Sequence, residues 1–460
     1  MLFCPTGTSN RQWPMRPSPV EGYRQFFSLS GDVFVLSVAM FAFSLGFQMT
    51  TRFLPEYLRV LGASGFVIGL FGTVGNLISA AYPYPGGAIS DRLGSRYALT
   101  LFGAASTLGF LLWFVAPDFG TVTVAGVTIP AWAWVFVGLV LAQAWKSFGL
   151  GATFAIVKQS VPPARLARGF ASTETFRRSA FLLGPVAAAG LLSLHPAFTV
   201  SFRYVLGVAV IVGAVATAVQ HWLYDASGDT IGDSFEGISQ LRADLERLPS
   251  TLRPLLVGDT LVRFANGMVY VFFIIVVTDF LDVGLALSLP VVGAVDLAPA
   301  TFFGLLVGIE MVVALLTMAP AAAVAERVGL KAVVATGFAV YAIFPVLLIS
   351  APPNAIVLAV LFAFSGLRFA GLPAHKALIV GPAEADAGGR VTGAYYLLRN
   401  VIVIPSGALG GALYGGVPDP LGTGKLLAGN PTLAFAVATV IGLLGTGYFL
   451  VFGEEFDAYR

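Results

Sequence analysis

Long apolar runs alternate with short polar connections along almost the whole chain. Twelve stretches are long and apolar enough to be read as membrane-crossing helices, each needing roughly 20 such residues. They lie near 32–51, 64–85, 97–117, 130–157, 169–193, 201–222, 254–281, 301–325, 331–350, 354–380, 391–415 and 431–452. The sixth and seventh are separated by a polar connection over 223–253, rich in Asp, Gly and Ser. Within it Ile238, Leu241, Leu245 and Leu248 share one helical face, which predicts a short amphipathic helix on the membrane surface or on the bundle. The pattern divides the chain into a tail (1–30), a six-helix half (31–222), a linker (223–253), a second six-helix half (254–453) and a short tail (454–460).

The polar connections carry a repeat. Gly87-Ala-Ile-Ser-Asp91-Arg92-Leu-Gly94-Ser-Arg96 returns 235 residues later as Ala322-Ala-Val-Ala-Glu326-Arg327-Val-Gly329-Leu-Lys331. Acid, arginine, glycine and base keep their spacing, and each copy joins two apolar stretches. A glycine permits a tight turn between crowded helix ends, while the acid and bases can make charge-assisted bonds to neighbouring helix ends. Gly31-Asp32 is echoed by Gly258-Asp259 at an offset of 227. Lys146, Arg168 and Arg177 are echoed by Arg368, Arg390 and Arg399 at an offset of 222. Two halves in the same order mean a parallel repeat about an axis along the membrane normal, with sites between the halves near mid-membrane.

The first copy resembles the loop signature G-x-x-x-D-R-x-G-R-R of the major facilitator superfamily, with Ser95 the one departure. That resemblance implies an all-α integral membrane protein of twelve transmembrane helices in two pseudo-symmetric halves, with alternating access to a central site. It implies a cytoplasmic gate containing Gly87, Asp91, Arg92 and Gly94, with Arg96, and in the second copy Glu326, Arg327, Gly329 and Lys331. Ala180-Phe-Leu-Leu-Gly184-Pro185-Val-Ala-Ala188-Ala189 resembles a degraded form of the G-x-x-x-G-P-x-x-G-G motif of the drug–proton antiporters of that superfamily. Generic tight packing with a kink is the plainer reading of those residues.

Composition agrees with a membrane solvent. Charged residues make up 11% of the chain and hydrophobic residues 57%, with a mean hydropathy of +0.85. Net charge of +2 says little about partners, and no nucleic acid is expected among them. One cysteine, Cys4, and three scattered histidines, His195, His221 and His375, make neither a disulfide nor a metal site. No cleavable leader is expected, since no apolar core precedes the first span. Sixteen Lys and Arg fall in segments on one side and four on the other. This predicts both termini in the cytoplasm of a multi-pass protein of the plasma membrane.

Charges inside spans are costly and therefore informative. Lys146, Arg177, Arg178, Arg263, Arg368 and Arg399 are the bases, and Glu174, Asp259 and Glu310 the acids. Lys146 and Arg368 occupy matching places in the fourth and tenth spans. They either face a cavity and attract an anion or form structural ion pairs. Gln143, Asn266, Tyr270, Ser44 and Gln48 are expected to line the same cavity. Arg52 ends the first-span stripe near the outer mouth, where it either attracts anions or, as an arginine there ordinarily does, extends to the interface. Asp259 and Arg263, one turn apart, are expected to neutralise each other. Glu174, Arg177, Arg178 and Arg399 are expected to brace the cytoplasmic gate. Glu310 has no basic neighbour in its own span. It is either the proton-coupling group, since burial favours a neutral carboxyl, or the partner of Lys146 or Arg368 across the half interface.

The chain carries no phosphate-binding G-x-x-x-x-G-K-[ST] loop, no triad and no cofactor motif, so an enzyme is not expected. Its expected partners are the lipid bilayer, a small-molecule solute and protons, and it is expected to be a monomer. The preferred function is proton-coupled efflux of a small organic solute, anionic or zwitterionic rather than a lipophilic cation. A proton symporter importing an organic anion or sugar is the alternative in the same class. A non-transporting receptor or scaffold is the alternative outside it.

Overall fold

A computed structural model describes residues 31–82, 89, 92–124, 126–146, 166–224, 248–289, 293–380, 388–419 and 425–455. The chain is almost entirely helical over these. In order come α1 (Gly31–Thr50), α2 (Leu54–Val60), α3 (Gly65–Ala81), α4 (Ser95–Phe119), α5 (Ala131–Ala144), α6 (Leu166–Leu192) and α7 (Phe198–Leu223). They are followed by α8 (Ser250–Phe280), α9 (Pro299–Val328), α10 (Leu330–Ile349), α11 (Ala355–Gly366), α12 (Leu372–Val380), α13 (Gly388–Val403), α14 (Ser406–Gly415) and α15 (Pro431–Phe452). Every one of the twelve predicted apolar stretches is met by helix. Among the described residues eight helices are long and apolar enough to cross a membrane by themselves, and the pair α1–α2, bent by 42°, supplies a ninth. Gly65–Ala81, Ala131–Ala144 and Ser179–Leu192 are apolar but shorter. The predicted amphipathic linker helix falls on 238–248 and lies outside the described residues except for Leu248.

The breaks in these helices have local causes. Between α1 and α2 the hydroxyls of Thr50 and Thr51 donate to the carbonyls of Gly46 and Phe47, at 2.8 and 2.7 Å. They compete with the helical ladder just before Pro55, which has no N–H to extend it. Pro405 likewise separates α13 from α14. Two further interruptions tighten to 3-10 turns, Tyr270–Phe272 within α8 and Leu367–Phe369 after α11. Such turns in mid-span are tolerated where backbone lines a cavity or is covered by protein.

Among the described residues, three short hairpins were not anticipated. They are β1 (Val122–Val124) with β2 (Val127–Ile129), β3 (Leu285–Leu289) with β4 (Gly293–Leu297), and β5 (Gly416–Pro418) with β6 (Lys425–Ala428). All are antiparallel, registered Val122↔Ile129, Leu285↔Leu297 and Gly416↔Ala428. By the alternation of the helices all three sit at one end of the bundle, the hairpin end.

Packing joins the N-terminal set of helices to the C-terminal set along two seams, α3 against α14 and α6 against α9. The first seam is built of glycine. A Cβ added at Gly411 would lie 2.8 Å from the Gly69 Cα, and one at Gly65 would lie 2.8 Å from the Gly415 Cα. Small residues drive such contact because lipid offers no hydrophobic force between helices. Gly411→Val is therefore expected to lower stability by about 1–3 kcal/mol, the usual range for overpacking. Gly190→Val is the control, since a Cβ there meets nothing within 4 Å. Thermal unfolding in detergent checks this, and equal shifts in both variants would contradict a close seam.

Towards the hairpin end a buried cluster gathers Phe53, Tyr57, Trp113 and Phe202 with Phe272, Phe303, Phe344 and Phe435. Tyr57 donates its hydroxyl proton to the Trp113 carbonyl at 2.9 Å. Polar contacts span the same end. Arg59 reaches Glu56 and Asp279, each at 2.8 Å, and Thr278 donates to Glu56 at 2.9 Å. A second cluster, around Leu255, Val334, Phe338, Tyr395 and Phe449, lies among α8, α10, α13 and α15. Outward-facing side chains are apolar; Leu316 is 69% and Leu444 63% exposed. That surface fits a hydrocarbon solvent and not water.

Candidate functional site

Two adjoining cavities lie between the helix sets. One, about 390 Å³, is lined by Gln48, Arg52 and Pro55 of the first bent pair and by Tyr341 and Arg368 on the opposite side. The other, about 440 Å³, reaches Asn76, Ser79, Arg399 and Asn400. They share Gly72, Gly75, Gln143, Lys146, Arg263, Asn266, Tyr270 and Val271, so they are two lobes of one space. The 3-10 turns place two of its walls, since Tyr270 and Arg368 both sit on them.

The lining is cationic. Arg52, Lys146, Arg263, Arg368 and Arg399 all reach it, and among the described residues no carboxylate does. The two acids stand behind the arginines. Glu310 is 1% exposed and Asp259 is 0% exposed.

Glu310 pairs with Arg368, of the two partners expected. The Arg368 Nη2 lies 2.6 Å from Glu310 Oε1, and Ser365 Oγ donates to the same oxygen at 2.6 Å. A close approach allows it. A Cβ at Gly366 would lie 2.9 Å from Val313, so only glycine lets α11 come this near to α9. The pair is incompletely satisfied: Glu310 Oε2 and Arg368 Nε and Nη1 are buried with no hydrogen-bond partner. The guanidinium is held between rings, 4.8 Å from the centroids of both Tyr341 and Phe369, a stabilising placement for a desolvated cation.

Asp259 is not neutralised by Arg263 alone, as the one-turn spacing suggested. Arg263 Nε lies at 3.3 Å, Arg399 Nη1 at 3.0 Å and His375 Nε2 at 3.3 Å, while Tyr395 donates its hydroxyl proton at 3.2 Å. One carboxylate therefore serves two arginines, and the surplus positive charge faces the cavity. Arg263 also donates to the Tyr341 hydroxyl at 3.1 Å, and Arg52 rests over the Tyr270 ring at 4.6 Å.

Of the residues expected to line a cavity, Lys146, Arg368, Gln143, Asn266, Tyr270 and Gln48 line these two lobes, and Ser44 is not among the described residues that do. Gln143 Oε1 and Asn266 Oδ1 are buried without a hydrogen-bond partner. Lys146 ends the described part of the fourth span and lies over the Phe47 ring at 5.7 Å. Arg399, expected at the gate, lies in the cavity on Asp259. Arg52 and Arg263, read as an interfacial arginine and half of a closed pair, are cavity residues as well.

The gate residues are described only in part. Gly87 and Asp91 lie outside the described residues, as do the side chains of Glu174, Arg177, Arg178 and Glu326. Arg92 and Arg327 are exposed. Gly94 and Gly329 each carry a left-handed backbone, with φ of 78° and 92°, which suits glycine at a helix entry. Arg96 donates to the His221 carbonyl at 2.7 Å, tying the start of α4 to the end of α7. In the second copy the Glu455 carboxylate accepts from the amides of Leu330 and Lys331 at 3.1 and 2.9 Å, tying the start of α10 to the chain beyond α15. An anion at a helix N-terminus is favourable there.

The sequence pattern of the Major Facilitator Superfamily matches residues 36–295. No curated protein matches the chain in sequence. Among solved structures, a mutant of the nucleoside transporter NupG superposes with a TM-score of 0.69 at 13% identity, over 92% of this chain and 100% of that one. A POT family transporter in complex with 5-aminolevulinic acid gives 0.64 at 13% identity, over 93% and 99%. The peptide transporter POT in complex with sulfate gives 0.64 at 13% identity, over 94% and 98%. At such identities the likeness is one of fold.

Proposed function

Because the chain belongs to the Major Facilitator Superfamily, we propose that it carries a small organic anion across the plasma membrane by alternating access, with protons as the coupling ion. In this reading twelve spans form two six-helix halves with both termini in the cytoplasm, and the hairpin end faces outward. The observation that carries the substrate class is the lining itself, five cationic side chains and no carboxylate among the described residues. An excess of fixed positive charge between low-dielectric walls raises the local concentration of anions and repels cations.

Contacts at the hairpin end suit a state closed to the outside. Arg59, Glu56 and Asp279 bridge α2 to α8 there, while the glycine seam holds α3 on α14. Glu310 supplies the coupling. Its carboxylate and the solute's anionic group compete for Arg368, so arrival of the solute favours uptake of a proton by the displaced acid. Coupling in which the anion and the proton favour each other's binding moves both in the same direction, which supports the symport alternative over efflux. The Gly184-Pro185 pair of α6, where Gly184 packs on Gln48 at a cavity wall, is then close packing and not an exporter's motif.

The test is counterflow of labelled solutes in proteoliposomes, comparing organic anions, sugars and lipophilic cations. Exchange confined to anions is the expected result, and exchange of cations or sugars alone would overturn it. Lys146→Ala is expected to weaken anion binding on the order of tenfold, the effect of one charge several ångströms away at an effective dielectric of 20. An unaltered binding curve would leave Lys146 a structural role only.

A further inference from the structure

Beside the Glu310–Arg368 pair lies a third, apolar pocket of about 140 Å³. Phe181 and Phe369 line both it and the central cavity. Its remaining walls are Met311, Ala314, Leu315, Met318 and Leu372, and among the described residues no charged side chain lines it. Its position is fixed by the chain: Met311 follows Glu310 and Phe369 follows Arg368. A charged head site and an apolar chamber thus share one wall.

Two independent features point to a ligand. Arg368 has a side chain only 2% exposed, yet its Nε and Nη1 lack hydrogen-bond partners. Leaving buried donors of a cation unpaired is unfavourable, and an anionic oxygen of a ligand would satisfy such a donor with a charge-assisted bond. The chamber is also the right size for a ring, since an apolar cavity of roughly 150 Å³ accepts benzene.

The geometry points to a substrate that is an aryl-bearing organic anion, its charged head on Arg368 and one ring-sized apolar group in the chamber between α6, α9 and α12. This deepens the reading of the central cavity as a solute site and rests on it. The flanking Phe181 and Phe369 rings give the aryl group edge or offset contacts. Methionines at 311 and 318 adapt to different substituents.

The test is equilibrium binding to the purified full-length protein in nanodiscs, using propionate, 3-phenylpropionate, 3-(biphenyl-4-yl)propionate and phenethyltrimethylammonium. Burying one phenyl group is expected to tighten binding at least about tenfold over propionate. A second ring is expected to add nothing, and the cation is expected not to bind. Ala314→Phe, which fills the chamber, is expected to erase the phenyl gain while leaving propionate binding in place. If that variant binds no propionate, Leu315→Trp takes its place. Equal affinities for propionate and 3-phenylpropionate would overturn the chamber while sparing the anion site. No binding by any anion would overturn both.

Discussion

Glu310→Gln is expected to abolish accumulation driven by a proton gradient while sparing solute exchange. The carboxamide is close in shape to the carboxyl and still accepts from Ser365 and Arg368, whose donors lie at 2.6 Å in both cases. What it loses is the negative charge that competes with the solute for Arg368, and the ability to take a proton in exchange. Anion affinity is therefore expected to rise, and its dependence on pH to flatten. Gradient-driven uptake and counterflow, measured on the same vesicles, separate the two effects. Loss of exchange together with accumulation would indicate collapse of the site, not uncoupling, and a preserved proton-driven gradient would remove Glu310 from the coupling path.

The second large effect is on stability. Asp259 is fully buried and is the common partner of Arg263, Arg399, His375 and Tyr395. Asp259→Asn leaves two guanidinium groups in a low-dielectric interior with a neutral neighbour. Removing one partner of a buried charge network is destabilising by about 3–5 kcal/mol. Thermal unfolding of the purified protein is expected to show that loss. The double variant Asp259→Asn with Arg399→Met is expected to recover part of it, because one unpaired charge leaves with the carboxylate. No loss in the single variant would mean that water or anions already neutralise the arginines.

Much of this was legible from the chain. Apolar run length placed most of the described helices, α2 (Leu54–Val60) excepted, because a bilayer leaves a spanning segment no choice but to satisfy its backbone internally. Lys146, Gln143, Asn266 and Tyr270 line the cavity for the related reason that polar side chains within a span turn to a cavity or a partner. Failures followed distance in sequence. Asp259 looked satisfied by Arg263 one turn away, whereas Arg399 bonds it from 140 residues along the chain. Arg399, expected to brace the cytoplasmic gate, lines the cavity and lies 3.0 Å from Asp259. The choice of Arg368 over Lys146 as partner of Glu310 turns on Gly366, whose missing side chain lets two helices touch. The first hairpin could have been read. Valine, threonine and isoleucine surround Gly126, which has a φ of 82°, a pattern that favours two paired strands.

Proton flux in proteoliposomes tests coupled anion transport most directly. The purified protein is reconstituted with a pH-sensitive dye inside, and 3-phenylpropionate, a sugar and a lipophilic cation are added outside in turn. Each solute is also added to protein-free vesicles to subtract passive entry of the protonated acid. The expected result is a protein-dependent pH change with the anion alone, absent with the sugar and the cation and lost in Glu310→Gln. Anion movement with no accompanying proton flux, or a proton flux unchanged in Glu310→Gln, would contradict coupling through the Glu310–Arg368 pair.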